Sequence, residues 1–432
     1  MHNQITIAAG SVDITPQRPV PLGGYARRLA PYEGIADPLE ANALVIDGGS
    51  SKVVIVTTDL LYPGETLRNN LLKNLGLQGH QLFLCASHTH FAPMTAPAMP
   101  RLGVPDSEYV EYLTAQITGM VKAFVPQPPP PICTYHEGTL DHSINRRLIC
   151  RRVTASGFNR EAGFGPNPAG ARDESVRVLK FARPNGEPLA LLWNYACHAT
   201  DCFNLRQVSA AYPGIVRTRL RAQFGDCPVL FFQGFAGDVR PPFIGIPIGI
   251  RGVARRVLRG PQFKDVPERT EREQWAGSLA ATVLSVARKP GTNVTIGAPA
   301  TRREQISGNV LATGGGNKSL FWHLIDCGGF RVAGINAEPV NEYRPLIQQY
   351  FTTPFLTVGY LDQTHCYLPI DRMIAERGYE VEGFRTLFNF DGHFKQGLQE
   401  SVVASLLKAL AQCGRSAETD RRGESVGRAS TS

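Results

Sequence analysis

Short apolar runs separated by turn-forming residues fill the first ninety positions, and most have the length of strands. Ile5 to Ala9, Ala43 to Ile46 and Val53 to Thr57 are such runs. The last two flank a turn that includes Asp47-Gly48-Gly49, which predicts a hairpin. Glu65 to Leu75 changes period, with apolar residues at helical spacing, and Gln81 to Cys85 returns as a buried strand. Tyr109 to Phe124 has the helical period again. It stops at Pro126 and the run Pro128 to Pro131, whose missing N–H groups cannot continue a helix.

The same alternation continues downstream. Strands are predicted at Val176 to Phe181, Leu189 to Tyr195, Val229 to Phe232 and Phe355 to Tyr360, with Val294 to Ile306 extended. Helices are predicted around Gly214 to Phe224, Thr270 to Ala287 and Leu398 to Leu410. Pro241 to Ile250, rich in Pro, Gly and Ile, follows neither period and reads as an apolar loop with the composition of a lid. No internal repeat is present, which disfavours solenoids and propellers. The pattern predicts an α/β (α+β) fold, a mixed β-sheet core flanked by helices, forming a single large domain over residues 1–412.

Composition narrows the class. The 432 residues are 43% hydrophobic and 19% charged, ordinary for a soluble globular protein with a large core. Nothing approaches the ~20-residue apolar run of a membrane helix, and Met1 to Ile7 lacks the basic and apolar regions of a signal peptide, so a cytoplasmic protein is expected. The net charge is +8, part of it from Arg415, Arg421, Arg422 and Arg428 in a polar segment, 413–432, that reads as a disordered basic tail. Other arginines cluster at Arg146-Arg147, Arg151-Arg152 and Arg251 to Arg259. No nucleic-acid-binding module accompanies them, so no nucleic-acid partner is expected; solvated faces or an anionic substrate group account for them. Nine cysteines without a C-x-x-C pair argue for reduced thiols, against both a disulfide framework and a zinc ribbon.

Candidate chemistry gathers at strand ends. Ser87-His88-Thr89-His90 follows a predicted apolar strand, and Leu191 to His198 is another apolar strand that closes on a histidine. Neutral imidazoles are good zinc ligands, and a catalytic zinc needs about three protein ligands with one position left open. The histidines alone leave an oxygen ligand to be found.

These segments resemble, in order, the landmarks of the neutral/alkaline non-lysosomal ceramidase family, from about Ala8 to about residue 410. Ala8 to Pro16 with Gly23-Gly24-Tyr25-Ala26 is similar to its N-terminal signature, and Ser87 to Pro93 to its H-T-H-S-G-P motif, with Phe91 and Ala92 replacing Ser and Gly. Ser143 to Arg146 resembles its N-R motif, Asn194 to Thr200 its N-x-x-x-H-P-T motif, and Gln233 to Pro241 its A-G-D-V-S-P segment. The resemblance implies a catalytic domain without the family's C-terminal immunoglobulin-like domain, and one Zn2+ per chain held by His88, His198, Glu338 and Tyr367. The sequence does not decide between His88 and His90 as direct ligand, and His88 is preferred; Glu342 is the rival of Glu338.

The implied reaction is hydrolysis of an amide in a small-molecule or lipid-like N-acyl substrate, by water that the ion activates. His90, with an ordinary pKa near 6.5, suits proton transfer. Arg146 suits an oxyanion or an anionic substrate group, Asp238 the orientation of a histidine, and Asn145 and Arg240 contact with substrate. Two positions depart from the family pattern. Arg240 replaces its serine, which points away from ceramide and toward a different, anionic N-acyl compound, and Ala211 stands where relatives often carry an acid. A zinc esterase, an N-deacylase of a sugar or amino compound, and a non-catalytic binding scaffold are the alternatives. A serine hydrolase is disfavoured by the absence of G-x-S-x-G, and a cysteine hydrolase by the apolar strand around Cys197.

Overall fold

The computed structural model describes residues 5–26, 28–125, 132–154, 157–246, 250, 260–306 and 319–426. Three sheets build its centre. In the first, the strands run Thr6–Asp13, Glu40–Asp47, Lys52–Thr58, Leu82–Ala86 across the sheet. The predicted hairpin joins its middle strands, with Asp47 opposite Lys52 and Gly49 at φ 82° in the turn. The second has the order Val229–Gln233, Pro188–Tyr195, Ser175–Ala182, Ile132–Thr139, Thr292–Val294. The third has the order Ile296–Ile306, Leu320–Gly328, Arg331–Ile335, Phe355–Val358.

One face of each sheet contributes to a shared apolar centre. Leu44, Ile55 and Phe83 from the first meet Leu179, Leu192 and Phe232 from the second and Ile325, Val332 and Leu356 from the third, all buried. The opposite faces take the helices. Glu65–Leu75 and Ser107–Lys122 cover the first sheet, Ala211–Phe224 and Arg269–Arg288 the second, and the helix from Leu398 the third. Strands buried on both faces explain why the sequence shows continuous apolar runs rather than alternation.

Each sheet contains one parallel pair, and the carboxyl ends of the three pairs converge. The pairs are Lys52–Thr58 with Leu82–Ala86, Pro188–Tyr195 with Val229–Gln233, and Arg331–Ile335 with Phe355–Val358. Gln233 ties the ends together: its side-chain N–H donates to Ser87 O and Cys197 O, and its carbonyl accepts from Gly359 N. Loops that leave parallel strand ends are where open α/β sheets place their sites.

Several strands carried no strand signal in the sequence. Ile144–Thr154 contains four arginines and reads as a charge cluster, yet it pairs with Gly157–Asn167 as a long antiparallel ribbon. Within the predicted apolar loop, Phe243 is buried against Trp275, Ile244 bridges to Phe263, and Ile246 and Ile250 are exposed; 247–249 lie outside the described residues, as does the proline run. The last helix runs from Leu398 to Val426. All nine cysteines are free thiols, and no helix among the described residues is long and apolar enough to cross a membrane.

Candidate metal centre

The converging loops bring His88, His90 and His198 together, their ligand nitrogens all within 4.8 Å of one another. His88 and His198 are held alike. The Nδ1 of His88 meets Leu61 O at 3.1 Å, and the Nδ1 of His198 lies 2.6 Å from Ala236 O and 3.1 Å from Val239 O. A proton on each Nδ1 satisfies those carbonyls and leaves each Nε2 with a lone pair facing the centre, the usual way a metal-ligating histidine is oriented. Both rings are 1% exposed. Burial pushes the His88 imidazole down to about 3 and that of His198 well below the usual range, so both are neutral.

Glu338 supplies the oxygen. Its Oε2 lies 3.5 Å from His88 Nε2 and 3.4 Å from His198 Nε2, and that oxygen has no hydrogen-bond partner although it is fully buried. Its Oε1 accepts from the Tyr62 hydroxyl. Bonds of ~2.0–2.1 Å around a tetrahedral zinc place neighbouring ligand atoms about 3.3–3.4 Å apart, close to the 3.5 and 3.4 Å between Glu338 Oε2 and the two imidazole nitrogens. An unpartnered buried carboxylate oxygen against two neutral imidazoles is costly without a cation and well matched to one. The donor set, two nitrogens and one oxygen, suits zinc.

Tyr367 stands beside Glu338 as its parallel strand partner, buried among Tyr379, Phe384 and Phe388. Burial, then the charge of Glu338, raises its hydroxyl well above the ordinary tyrosine range. The rival acid Glu342 is elsewhere, at a helix start and ion-paired with Arg372 at 2.6 Å.

Around this set the backbone is strained or tight. His88 and Tyr360 both have φ near +60°, a left-handed conformation unfavourable for side-chain-bearing residues, and their rings stack at 4.1 Å. Gly237 packs against the 338–339 backbone so closely that a Cβ would lie 2.7 Å from Glu338 O. Gly24, at φ +105°, gives the same clearance to His90, whose Nδ1 would be 2.8 Å from an added Cβ.

The remaining candidates divide. His90 points Nε2 at His88 Nε2, 3.3 Å away, and is half-buried. Desolvation, then His88 and His198, lowers its pKa well below 6.5, so it is held neutral rather than poised at its ordinary value. Arg146 reaches the centre: Nη1 meets His198 Nε2 at 3.3 Å, Nε pairs with Glu380 at 2.8 Å, and Nη2 is buried without a partner. Asp238 does not orient a histidine, since backbone carbonyls do that. Its carboxylate accepts from Asn341 N at 2.7 Å and Asn145 Nδ2 at 2.8 Å, which clamps the strand carrying Arg146 to the loop after Glu338, and burial raises its pKa to about 6. Asn145 gives its amide hydrogens to Ala171 O and Asp238, and its oxygen accepts from Arg147 N, so its polar atoms serve the protein rather than a substrate. Arg240 is half-buried, stacked 4.5 Å from the Phe263 centroid.

Sequence reasoning missed Tyr62, Tyr360 and Glu380. Tyr62 was within reach, since it follows the end of a strand as His88 does, whereas Glu380 lies in a short π-helix that no periodicity marks.

The fold and the cluster together define an α/β scaffold carrying a candidate single-metal centre at the carboxyl ends of its parallel strands. No protein-family model matches the sequence. Among solved structures, the chain is similar to the neutral ceramidase from Pseudomonas aeruginosa, with a TM-score of 0.71 at 17% identity over 95% of this chain and 75% of that one. It is also similar to a ceramidase complexed with C2, with a TM-score of 0.68 at 16% identity over 93% of this chain and 73% of the other. The neutral-ceramidase resemblance carried by the motifs therefore extends to the fold over nearly the whole chain.

Proposed function

We propose that this protein is a zinc-dependent hydrolase that cleaves the amide bond of an N-acyl substrate. The observation that carries the reading is the unpartnered, buried Glu338 Oε2 at 3.5 and 3.4 Å from His88 Nε2 and His198 Nε2, separations that suit ligands of one tetrahedral ion. Tyr367, the parallel neighbour of Glu338, is assigned as the further ligand. The shared fold with proteins named ceramidases supports an amide as the bond attacked.

Zinc bound there supplies Lewis acidity, activating water and polarising the scissile carbonyl. The chain's own groups do the rest. Arg146 Nη2, buried and unpartnered, donates to the carbonyl oxygen as it gains charge, in an environment where a preorganised donor counts most. His90, neutral, takes up a proton from the water and returns it to the departing nitrogen. A water oxygen joins the acyl carbon, the C–N bond breaks, and the amine leaves with the transferred proton. Glu380 positions Arg146, and Asp238 with Asn145 fixes the strand beneath it.

The test is hydrolysis of a panel containing ceramide, N-acyl amino acids, N-acetyl sugars and matched esters, with zinc measured in the same samples. Expected are amide cleavage, about one zinc per chain, loss of both on chelation and in His198→Ala, and insensitivity to a thiol alkylator. Cleavage that survives complete removal of metal would contradict the reading, and preference for the esters would reassign it to an esterase.

A further inference from the structure

Phe164 stands between two guanidinium groups. Arg146 Cζ lies 5.2 Å from its ring centroid and Arg240 Cζ 5.8 Å, and Arg240 also stacks on Phe263, whose ring is 5.8 Å from that of Phe164. Their ion pairing differs. Arg146 shares Glu380 with Arg147. Among the described residues no carboxylate forms a direct ion pair with Arg240, Asp265 acting on it only at longer range, and its Nε is buried without a hydrogen-bond partner. Burial, with Arg146 adding repulsion, lowers its pKa. A third cation adds to the excess: Arg28 bonds the carbonyls of Leu22, Gly23, His90 and Leu205. Tyr25 stands beside it, its ring 5.2 Å from His90 and 4.9 Å from the Arg28 guanidinium.

Holding an arginine against two rings without a direct ion pair among the described residues costs free energy that an incoming anion recovers. Stacking fixes the plane of the guanidinium and leaves its edge, a fork of N–H donors, to meet a carboxylate. The surroundings are open and apolar: Phe164 is 44% exposed and Ile244 37%. A ligand with one anionic group next to an apolar chain matches both.

We propose that Arg240 is a specificity residue that pairs with a carboxylate-class anion of the substrate beside the scissile amide, so that the substrates are anionic N-acyl compounds rather than neutral ones. This rests on the amide-hydrolase reading, and the test separates the two. Three probes are compared: N-octanoylglycine, with the carboxylate on the amine side; N-octylsuccinamic acid, with it on the acyl side; and neutral N-octanoylglycinamide. Steady-state kinetics of the zinc-loaded wild type are expected to give a KM about 10- to 100-fold lower for one anionic probe than for the neutral one, the range of a charge-assisted hydrogen bond. Which anionic probe is preferred locates the charge. In Arg240→Gln that ratio is expected to fall toward one, and Arg240→Lys to restore part of it, with circular dichroism checking that each variant folds.

Equal KM values for charged and neutral probes in the wild type overturn the proposal, as does an Arg240→Gln protein that keeps the wild-type ratio. If no probe is hydrolysed by the zinc-loaded wild type, the amide-hydrolase reading falls for this class. Calorimetric titration of the same probes then decides on Arg240: tighter binding of an anionic probe, lost in Arg240→Gln, supports it, and equal binding overturns it.

Discussion

Individual side chains around the centre do separable jobs, and their substitutions should fail differently. The Tyr62 hydroxyl donates to the oxygen of Glu338 that faces away from the imidazoles, and its ring lies 5.2 Å from that of His88. Tyr62→Phe should keep the fold but weaken zinc affinity by about 10–100-fold, the usual cost of losing a partner that orients a ligand, measured by competition with a chelator. Glu380 is different, because it sits buried between Arg146 and Arg147. Burial alone would raise its pKa, but the two guanidiniums outweigh it and hold the carboxyl below its ordinary 4.5. A lowered folded-state pKa means stability that is fully present above the unfolded value and lost as pH falls through the folded one. Glu380→Gln should therefore cost roughly 3–5 kcal/mol near neutral pH, the penalty for stranding buried charge, with the gap from wild type closing below pH 4.5 in denaturant titrations. A gap that is constant with pH would mean the ion pair contributes nothing. The histidines were legible because each ends an apolar run; Glu338 and Tyr367 came only through motif resemblance, since a lone Glu-Pro or Tyr-Leu carries no local signature.

At the scale of elements, the site depends on how strand ends and loops approach one another. The Glu65–Leu75 helix was readable to its boundaries because one face is apolar and Gly76, at φ 63°, ends it. Ile144–Thr154 was unreadable for the opposite reason: Arg146 and Arg147 pair with the distant Glu380, a contact no local pattern encodes. The Gly23-Gly24 segment is a second case of distant packing, since Gly24 clears the His90 ring. Gly24→Ala should cost more than about 1 kcal/mol because its φ of +105° disfavours any side chain. It should also lower turnover by displacing His90 while leaving zinc content unchanged. Unaltered turnover would show that His90 does not need its present position.

For the whole molecule, three sheets sharing one apolar centre explain how residues from 62 to 367 in the chain hold a common site. The mixed α/β character was legible from alternating periods, but the three-sheet arrangement was not, because order and partner choice are set by long-range packing. Phe83 lies in that centre, fully buried and 5.5 Å from the Phe232 ring. Phe83→Ala should cost about 3–5 kcal/mol and lower the transition midpoint followed by near-UV and far-UV circular dichroism alike. Loss of near-UV signal alone would indicate that the sheets separate before they unfold.

The claim on which the account turns is that Glu338 and the two carbonyl-tethered imidazoles hold a single zinc ion, and X-ray absorption at the zinc edge of the purified protein tests it most directly. The predicted spectrum has only nitrogen and oxygen neighbours at ~2.0–2.1 Å, and the bound metal disappears in the His88→Ala/His198→Ala protein. A sulfur neighbour near ~2.3 Å, or zinc retained after both histidines are removed, would contradict it.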